Sequence, residues 1–573
     1  MRSELVDSYL PGDSVTDARW LVALLHSSGV RHFVYCPGSR SAPFAYALAE
    51  LEAAQLGDTQ VHTRIDERSA AFFALGLAKA SGRPVAIFMT SGTAVGHCLP
   101  AVMEAHHSNT PLVVVSADRP WEMLETGASQ TTRQAGIFGS FVRRFVDVPA
   151  QITDIRHLIN QVQHLQYWWS GVTKPGPVHV NMAFTGSLTP HSERTATTGE
   201  LVASLCQQGV EFVADRQMRT STFVVDALRT VVVVGNGEPD YLVQTLAQAE
   251  GYVVLAEPGT SVWNQGYALP FEQQLVTLLG AEVERVIVYG RPTLSRPLTQ
   301  LINDGEKVQW VVSERADYPQ LSGCVQRVFT SLPVLPQLDA CVHEWALKWH
   351  ETAVKLSESY GRLSLADGVK ATQLLVQAET TEVVVSGASN PVRYLDLIGD
   401  TGSRGMQVFT NRGQAGIDGT IAFARGVQAV VGKRVRVLLG DVTFLHDASS
   451  LLCAAGQDTP DLDIVLLDDC GGRIFQSLEH GADASVEVYE RFFAMGQNVD
   501  YRALAQAYGW QYQCFTGLQT GDSQSEFVAA LEADVTGGRI LHVVCDHADI
   551  REAIRDLFQN PFSENFQKTL RVD

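Results

Sequence analysis

Residues 435–475 read VRVLLGDVTFLHDASSLLCAAGQDTPDLDIVLLDDCGGRIF, and the fold class follows from how its two apolar runs are built. VRVLLGD (435–441) and DIVLLD (463–468) are continuous runs of Val, Ile and Leu rather than alternating ones. That is the pattern of strands buried on both faces of a parallel sheet. A helical stretch lies between them. Runs of the same kind recur along the chain: HFVYC (32–36), PVAIFMT (84–90), PLVVVSA (111–117), PVHVNM (177–182), TVVVVG (230–235), YVVLAE (252–257), RVIVYG (285–290), QWVVS (309–313), EVVVS (382–386) and ILHVVC (540–545). With helical stretches between them, the expectation is an α/β chain of doubly wound parallel sheets.

At 573 residues the chain exceeds one core, and about 150 residues per domain gives three or four. The polar, Ser/Thr-rich TGSLTPHSERTATTGE (185–200) reads as a linker, and a second shift follows the helical ACVHEWALKWHETAVKLSESYG (340–361). The expected domains are therefore 1–190, 195–350 and 360–573. The first and third blocks are candidates for distant structural copies, which the sequence alone does not show.

A net charge of −20 argues against a general binder of nucleic acid, which needs a basic face. It leaves room for a local basic pocket. The nine cysteines are scattered singly, with no CxxC pair and no zinc spacing, which suits a reducing compartment. No apolar run approaches the ~18–20 residues of a membrane span, and MRSELVDSYLPGDSVTDARW has no signal-peptide pattern. A soluble, cytoplasmic protein is expected.

Three groups of residues carry chemistry. Asp441 ends one strand, and Asp468 and Asp469 end the other, followed by Gly471 and Gly472. In open α/β sheets ligands sit at the carboxyl ends of strands. Two carboxylates there, with main-chain carbonyls, make a hard-oxygen site suited to Mg²⁺ bridging a diphosphate. A single such Asp also serves as a helix cap. Next, in VHTRIDERSAAFFALGLAKASGRPVAIFMTSGTA (61–94), a polar strand ends at Glu67 and enters an Ala-rich helix. Glu67 is also the kind of first-turn carboxylate that a helix dipole favours, and TSG reads as a simple turn. Finally, CPGSRSAP, SADRP, SNPVR and TNRGQAGIDG place Arg40, Arg119, Arg393 and Arg412 at turns after strands. Arginine binds carboxylates bidentately, and four of them point to a multiply carboxylated substrate. VVVVGNGEPD (231–240) begins like a dinucleotide fingerprint but lacks the third Gly, and reads as a turn.

On these residues the chain resembles the thiamine-diphosphate-dependent enzymes, whose motif is GD followed by a closing Asn/Asp pair. Here the opening is Gly440–Asp441, and the usual closing Asn is Asp469. PGSRSAP (37–43), RIDERSAAFFALGLAKASGRPVA (64–86), TSGTAV (90–95), ADRP (117–120), ASQTTRQ (128–134), NRGQAGIDGT (411–420) and GGRIF (471–475) resemble, more narrowly, the 2-succinyl-5-enolpyruvyl-6-hydroxy-3-cyclohexene-1-carboxylate synthases of the menaquinone pathway. In the middle block that family carries a basic pair after a GRP turn, and GRPTLSRP (290–297) offers Arg296 and then Pro297.

The resemblance implies a pyrimidine-binding domain, a central domain and a diphosphate-binding domain. It implies thiamine diphosphate with Mg²⁺ or Mn²⁺, and a homodimer-based assembly, a homotetramer in most members, with active sites between chains. It implies decarboxylation of 2-oxoglutarate and transfer of the four-carbon remainder to isochorismate. By the same resemblance Glu67 contacts the pyrimidine and is catalytic. Asp441, Asp469 and the Gly471 carbonyl hold the metal. Ile417 props the cofactor in its bent form, and Ser389, Ile474 and Phe475 line it. Ser39, Arg40, Arg119, Gln130, Ser389, Arg393 and Arg412 form the substrate pocket. The alternatives are an acetolactate-synthase-like carboligase, a simple 2-oxo-acid decarboxylase, or a non-catalytic binding protein that keeps the fold.

Overall fold

Valine, isoleucine and leucine form the strand cores here because each central strand is covered on both faces. The computed structural model describes residues 13–169, 174–190, 195–206, 228–238, 241–247, 251–313, 325–329, 335, 338–360, 366–398, 405–477 and 485–545. The first sheet holds β1 (His32–Tyr35), β2 (Gln60–Thr63), β3 (Val85–Met89), β4 (Leu112–Asp118), β5 (Arg144–Val148) and β6 (Val178–Ala183). The second holds β7 (Thr230–Val234), β8 (Val253–Ala256), β9 (Arg285–Tyr289), β10 (Val308–Val312) and β11 (Val325–Phe329). The third holds β12 (Val383–Ser386), β13 (Gln407–Thr410), β14 (Val435–Gly440), β15 (Leu462–Asp468), β16 (Gln511–Thr516) and β17 (Arg539–Val544). Every strand pairing in the three sheets is parallel.

The strand orders are β2-β1-β3-β4-β6-β5, β11-β10-β9-β7-β8 and β13-β12-β14-β15-β17-β16. Counted from its own first strand, the third sheet has the same order as the first, so the two are topological copies. In each of these two sheets the winding reverses between the first and third strands, β1/β3 and β12/β14. A crevice opens at such a reversal, beyond the carboxyl ends of the strands, and ligands bind there.

The described chain forms two compact units. One comprises Met1–Arg216, Gly413–Gly432 and Asp447–Gln457, and contains the first sheet. The other comprises Gln217–Arg412, Lys433–His446 and Asp458–Asp573, and contains the second and third sheets. The core of the first packs Leu21, Phe33, Phe88 and Val180 with Leu201 and Val202 of the helix Thr198–Cys206. A continuous core in the second runs from Val232 and Ile287 through Trp349 to Leu438 and Val465. Among the described residues no helix is long and apolar enough to cross a membrane.

Two helices of the first unit set the frame for the candidate residues it carries. Glu67–Ser81 and Thr420–Val431 cross so closely that a Cβ on Gly76 would stand 2.1 Å from the Phe423 carbonyl oxygen, and one on Gly426 would stand 2.2 Å from that of Phe73. Only glycine at both positions permits that crossing. The polar strand expected to end at Glu67 ends at Thr63 instead, and Asp66 caps the helix by accepting from Arg68 N and Ser69 N at 3.0 and 3.2 Å. The turn begun by GNG (235–237) is structural: Asn236 bridges Arg291, and a Cβ on Gly235 would strike Pro292.

Candidate active site

In the first unit the candidate residues gather beyond β1, β3 and β4, on the crevice side of the sheet. Glu67 is the first helical residue after the Asp66 cap and is half-buried. Asp66 occupies the capping role and also accepts from Ser449 Oγ at 2.9 Å. The Glu67 carboxylate has no hydrogen-bond or ion-pair partner among the described residues, so it is free for a ligand. Its charge, second to burial, keeps the buried Cys98 thiol protonated by pushing its pKa up.

Ser39 is exposed on the loop after β1, and the Arg40 Nη1 donates to the Phe184 carbonyl at 2.9 Å. Burial holds the Arg40 pKa below its usual value, and the neighbouring Arg119 adds to this, while Asp118 opposes it. Arg119 donates to Ser91 Oγ, and its Nε is buried without a partner. Gln130, at φ +54°, donates to the Ser91 carbonyl at 3.0 Å. TSG is therefore more than a turn: Ser91 ties Arg119 to Gln130. Ile417 is half-buried on the loop leading into Thr420–Val431. That loop is fastened at its start by Glu104, which accepts from Gly413 N and Gln414 N at 2.7 and 2.6 Å.

In the second unit the other candidates gather beyond β12, β14 and β15. Asp441 follows β14, is 2% exposed, and accepts from Val442 N at 2.8 Å and Gly471 N at 2.7 Å. Asp468 ends β15 and is taken up by Cys470 N and by His542 Nε2 at 3.0 Å, which leaves Asp469 as the second carboxylate. Burial first, and Asp468 next, raises Asp441 to about 6; burial and then Asp441 raise Asp469 to about 8. Gly471 stands at φ +115°, where a Cβ would meet the Ala494 carbonyl oxygen at 2.1 Å. Ile474 and Phe475 lie on the short turn Arg473–Ser477, and the Phe475 ring packs edge-on against Phe493 at 5.7 Å.

Ser389, at φ +71°, follows β12 and offers its carbonyl to Arg393 Nη1 at 2.7 Å. Burial holds the Arg393 pKa down, and nearby Arg412 and Arg296 add to this against Asp396 and Glu257. Arg412 donates to Thr293 Oγ1 at 2.8 Å and has its Nε buried without a partner. Glu257 accepts from the N–H groups of Thr293 and Leu294, fixing the turn that carries Thr293. Arg296 opens the helix Arg296–Ile302 behind its Ser295 cap, and Pro297 is its second residue, where a fixed φ is accommodated.

Residues 15–137 match the thiamine pyrophosphate enzyme N-terminal TPP binding domain, and residues 400–558 match the C-terminal TPP binding domain. A protein of Paenarthrobacter aurescens, named 2-succinyl-5-enolpyruvyl-6-hydroxy-3-cyclohexene-1-carboxylate synthase, is 39% identical over 94% of this chain and 97% of its own length. Synthases of the same name from Renibacterium salmoninarum and Nocardia farcinica are 36% and 35% identical, each over 94% of this chain and over 95% and 97% of their own lengths. The chain belongs to this synthase family.

Within the synthase family's frame, the donors at the β14 and β15 ends suit a hard divalent cation. Asp468 helps raise the pKa of Asp441, and Asp441 that of Asp469, so the carboxylates crowded at these strand ends are a charge excess a cation relieves. Among the described residues no group of three or more His, Cys, Asp or Glu side chains is set to hold a metal, so the candidate set is Asp441, Asp469 and main-chain oxygen. Sequence reasoning missed Glu104, Gln134, Asn181 and Glu257. Each is a buried polar residue that holds a site loop in place. Asn181 and Glu257 fall within the buried runs PVHVNM and YVVLAE, but nothing local marks what any of the four holds, because their partners lie far along the chain.

Proposed function

We propose that this synthase decarboxylates 2-oxoglutarate and adds the four-carbon remainder to isochorismate. The products are 2-succinyl-5-enolpyruvyl-6-hydroxy-3-cyclohexene-1-carboxylate and CO₂. Bound thiamine diphosphate supplies the carbon nucleophile and the electron sink that let the 2-oxo acid lose CO₂. Glu67 holds a proton at the pyrimidine N1′, a role its unpartnered carboxylate is free to take. Asp441, Asp469 and the Gly471 carbonyl would hold the Mg²⁺ or Mn²⁺ that the diphosphate requires. Ile417, Ser389, Ile474 and Phe475 line the cofactor. Ser39, Arg40, Arg119, Gln130, Ser389, Arg393 and Arg412 are the residues that would fix the substrate carboxylates in reacting geometry. The reaction runs in the cytoplasm.

The observation that carries this reading is the arginine complement. Arg40 with Arg119, and Arg393 with Arg412 and Arg296, form two cationic groups, and Arg119 and Arg412 each keep a buried Nε unpartnered. Pyruvate, with one carboxylate, does not need them; 2-oxoglutarate and isochorismate each carry two. CO₂ release from 2-oxoglutarate in the presence of isochorismate, compared with release from pyruvate, tests the reading. Strong preference for 2-oxoglutarate is expected, and equal or better use of pyruvate points to the acetolactate-synthase-like alternative.

Arg393→Ala and Arg412→Ala should each raise KM for one or both substrates by the equivalent of ~1.5–3 kcal/mol, the worth of a charge-assisted bond, with a smaller effect on stability. Steady-state kinetics with either substrate varied checks this, and unchanged KM values in both variants remove these arginines from the pocket.

We further propose a homodimer-based assembly, a homotetramer in its full form, whose active sites take Glu67 from one chain and Asp441 from its partner. Exposed apolar side chains lie near candidate residues in both units: Ile65, two residues before Glu67, is 70% exposed, and Phe492, next to the Phe493 that packs on Phe475, is 62% exposed. A partner chain would cover them.

A further inference from the structure

Gln134 lies on the loop between β4 and β5, much of which is exposed, yet it is 1% exposed itself. Its amide is fully engaged in one orientation. Oε1 accepts from Gly92 N at 2.8 Å, while Nε2 donates to the Ala117 carbonyl at 3.1 Å and to Asn181 Oδ1 at 3.0 Å. A flipped amide would set oxygen against two acceptors, so the partners fix its assignment.

Asn181, on β6, is equally constrained. Its Nδ2 donates to Asp118 Oδ2 and Asp147 Oδ1, both at 2.9 Å, and Oδ1 also accepts from Ser116 Oγ at 2.8 Å. Because Ser116 spends its proton there, it takes one from His179 Nε2 at 2.8 Å. Burial holds the His179 pKa down to about 3, so the ring is neutral and carries its proton on Nε2. Asp118 in turn accepts from Arg119 N at 2.7 Å.

These bonds close a circuit through the site. Gln134 pins the Ser91–Gly92 turn to the end of β4, Asp118 pins the Arg119 backbone, and Ser91 meets both the Arg119 guanidinium and the Gln130 amide. We propose that Gln134, anchored on Asn181, is a positioning residue for the substrate: it fixes the Ser91–Gly92 turn so that Arg119 and Gln130 present their donors in one arrangement. This rests on the reading of Arg119 and Gln130 as substrate-pocket residues. It adds a residue that touches neither substrate nor cofactor.

The test is a double-mutant cycle of Gln134→Leu and Arg119→Ala, with both substrates varied in turn and activity normalised to folded protein. Arg119→Ala identifies the substrate held there by the KM that rises. Gln134→Leu is expected to raise that same KM on the order of ten- to a hundredfold, as for a misplaced binding group, and to leave the other within about twofold. The double variant should show less than the product of the two effects, because Gln134 acts through a group already removed. A merely structural Gln134 would lower the active fraction and leave both KM values unchanged, which would overturn the inference, as would a fully multiplicative cycle. If Arg119→Ala changes neither KM, the pocket reading itself fails. Gln134→Glu, of the same shape but with a carboxylate facing Ala117 O and Asn181 Oδ1, gives the same readout should the leucine variant not fold.

Discussion

Glu67→Gln is expected to lower kcat by at least ~10²-fold, the usual worth of a positioned acid/base, while the protein stays folded. The two halves of this expectation have separate grounds. Asp66, not Glu67, caps the helix Glu67–Ser81, so the cap survives the substitution. The helix loses only a first-turn carboxylate, worth ~0.3–1 kcal/mol at a helix N-terminus. The chemistry loses much more, since an amide cannot hold the proton that the pyrimidine ring needs. Turnover measured beside the thermal midpoint checks both halves. Activity within a fewfold of the unaltered protein would remove Glu67 from the reaction.

Asp441→Ala should weaken thiamine diphosphate binding on the order of a hundredfold or more, since even groups that only support a metal ligand are worth ten- to a hundredfold. The side chain is buried at the end of β14 and receives two main-chain N–H groups, so alanine removes the proposed metal donor and leaves Gly471 N and Val442 N without their acceptor. Cofactor titration at saturating Mg²⁺ reads the loss. Asp469→Asn, by contrast, restores the residue usual at that place and keeps an oxygen, so it should be tolerated. Equal damage from the two variants would show that the closing motif is misaligned.

Mixing the two inactive proteins tests their partnership across chains. If Glu67 of one chain serves the cofactor held by Asp441 of its partner, a mixed dimer carries both defects in one site and neither in the other. Random exchange makes about half the dimers mixed, so roughly a quarter of full activity returns. If both residues served the same chain's site, nothing would return.

The parallel sheets were legible because their central strands are buried on both faces and so read as unbroken apolar runs. The strands absent from that reading are edge strands. β5, β11, β13 and β16 each border a sheet and have exposed or half-buried positions along their length, so their sequences lack the run. β2, also an edge strand, shows in the sequence only as a polar stretch, and it ends at Thr63, four residues before Glu67.

The motif residues at strand ends were legible because glycine, aspartate and arginine there have few structural uses that explain them together. The circuit beneath them was not. Gln134 and Asn181 stand 47 positions apart, and Glu104 meets Gly413 across 309. Nothing local marks such pairs. Nor does the sequence disclose that 413–432 and 447–457 belong to the first unit. That follows from the glycine crossing at Gly76 and Gly426, whose two halves are read separately along the chain.

The most direct test of the central claim is the ultraviolet absorbance of isochorismate followed with the complete mixture and with single omissions. Loss of isochorismate that requires the protein, 2-oxoglutarate and thiamine diphosphate together is the expected result. Loss that continues without thiamine diphosphate or without 2-oxoglutarate, or no loss with all components present, would contradict it.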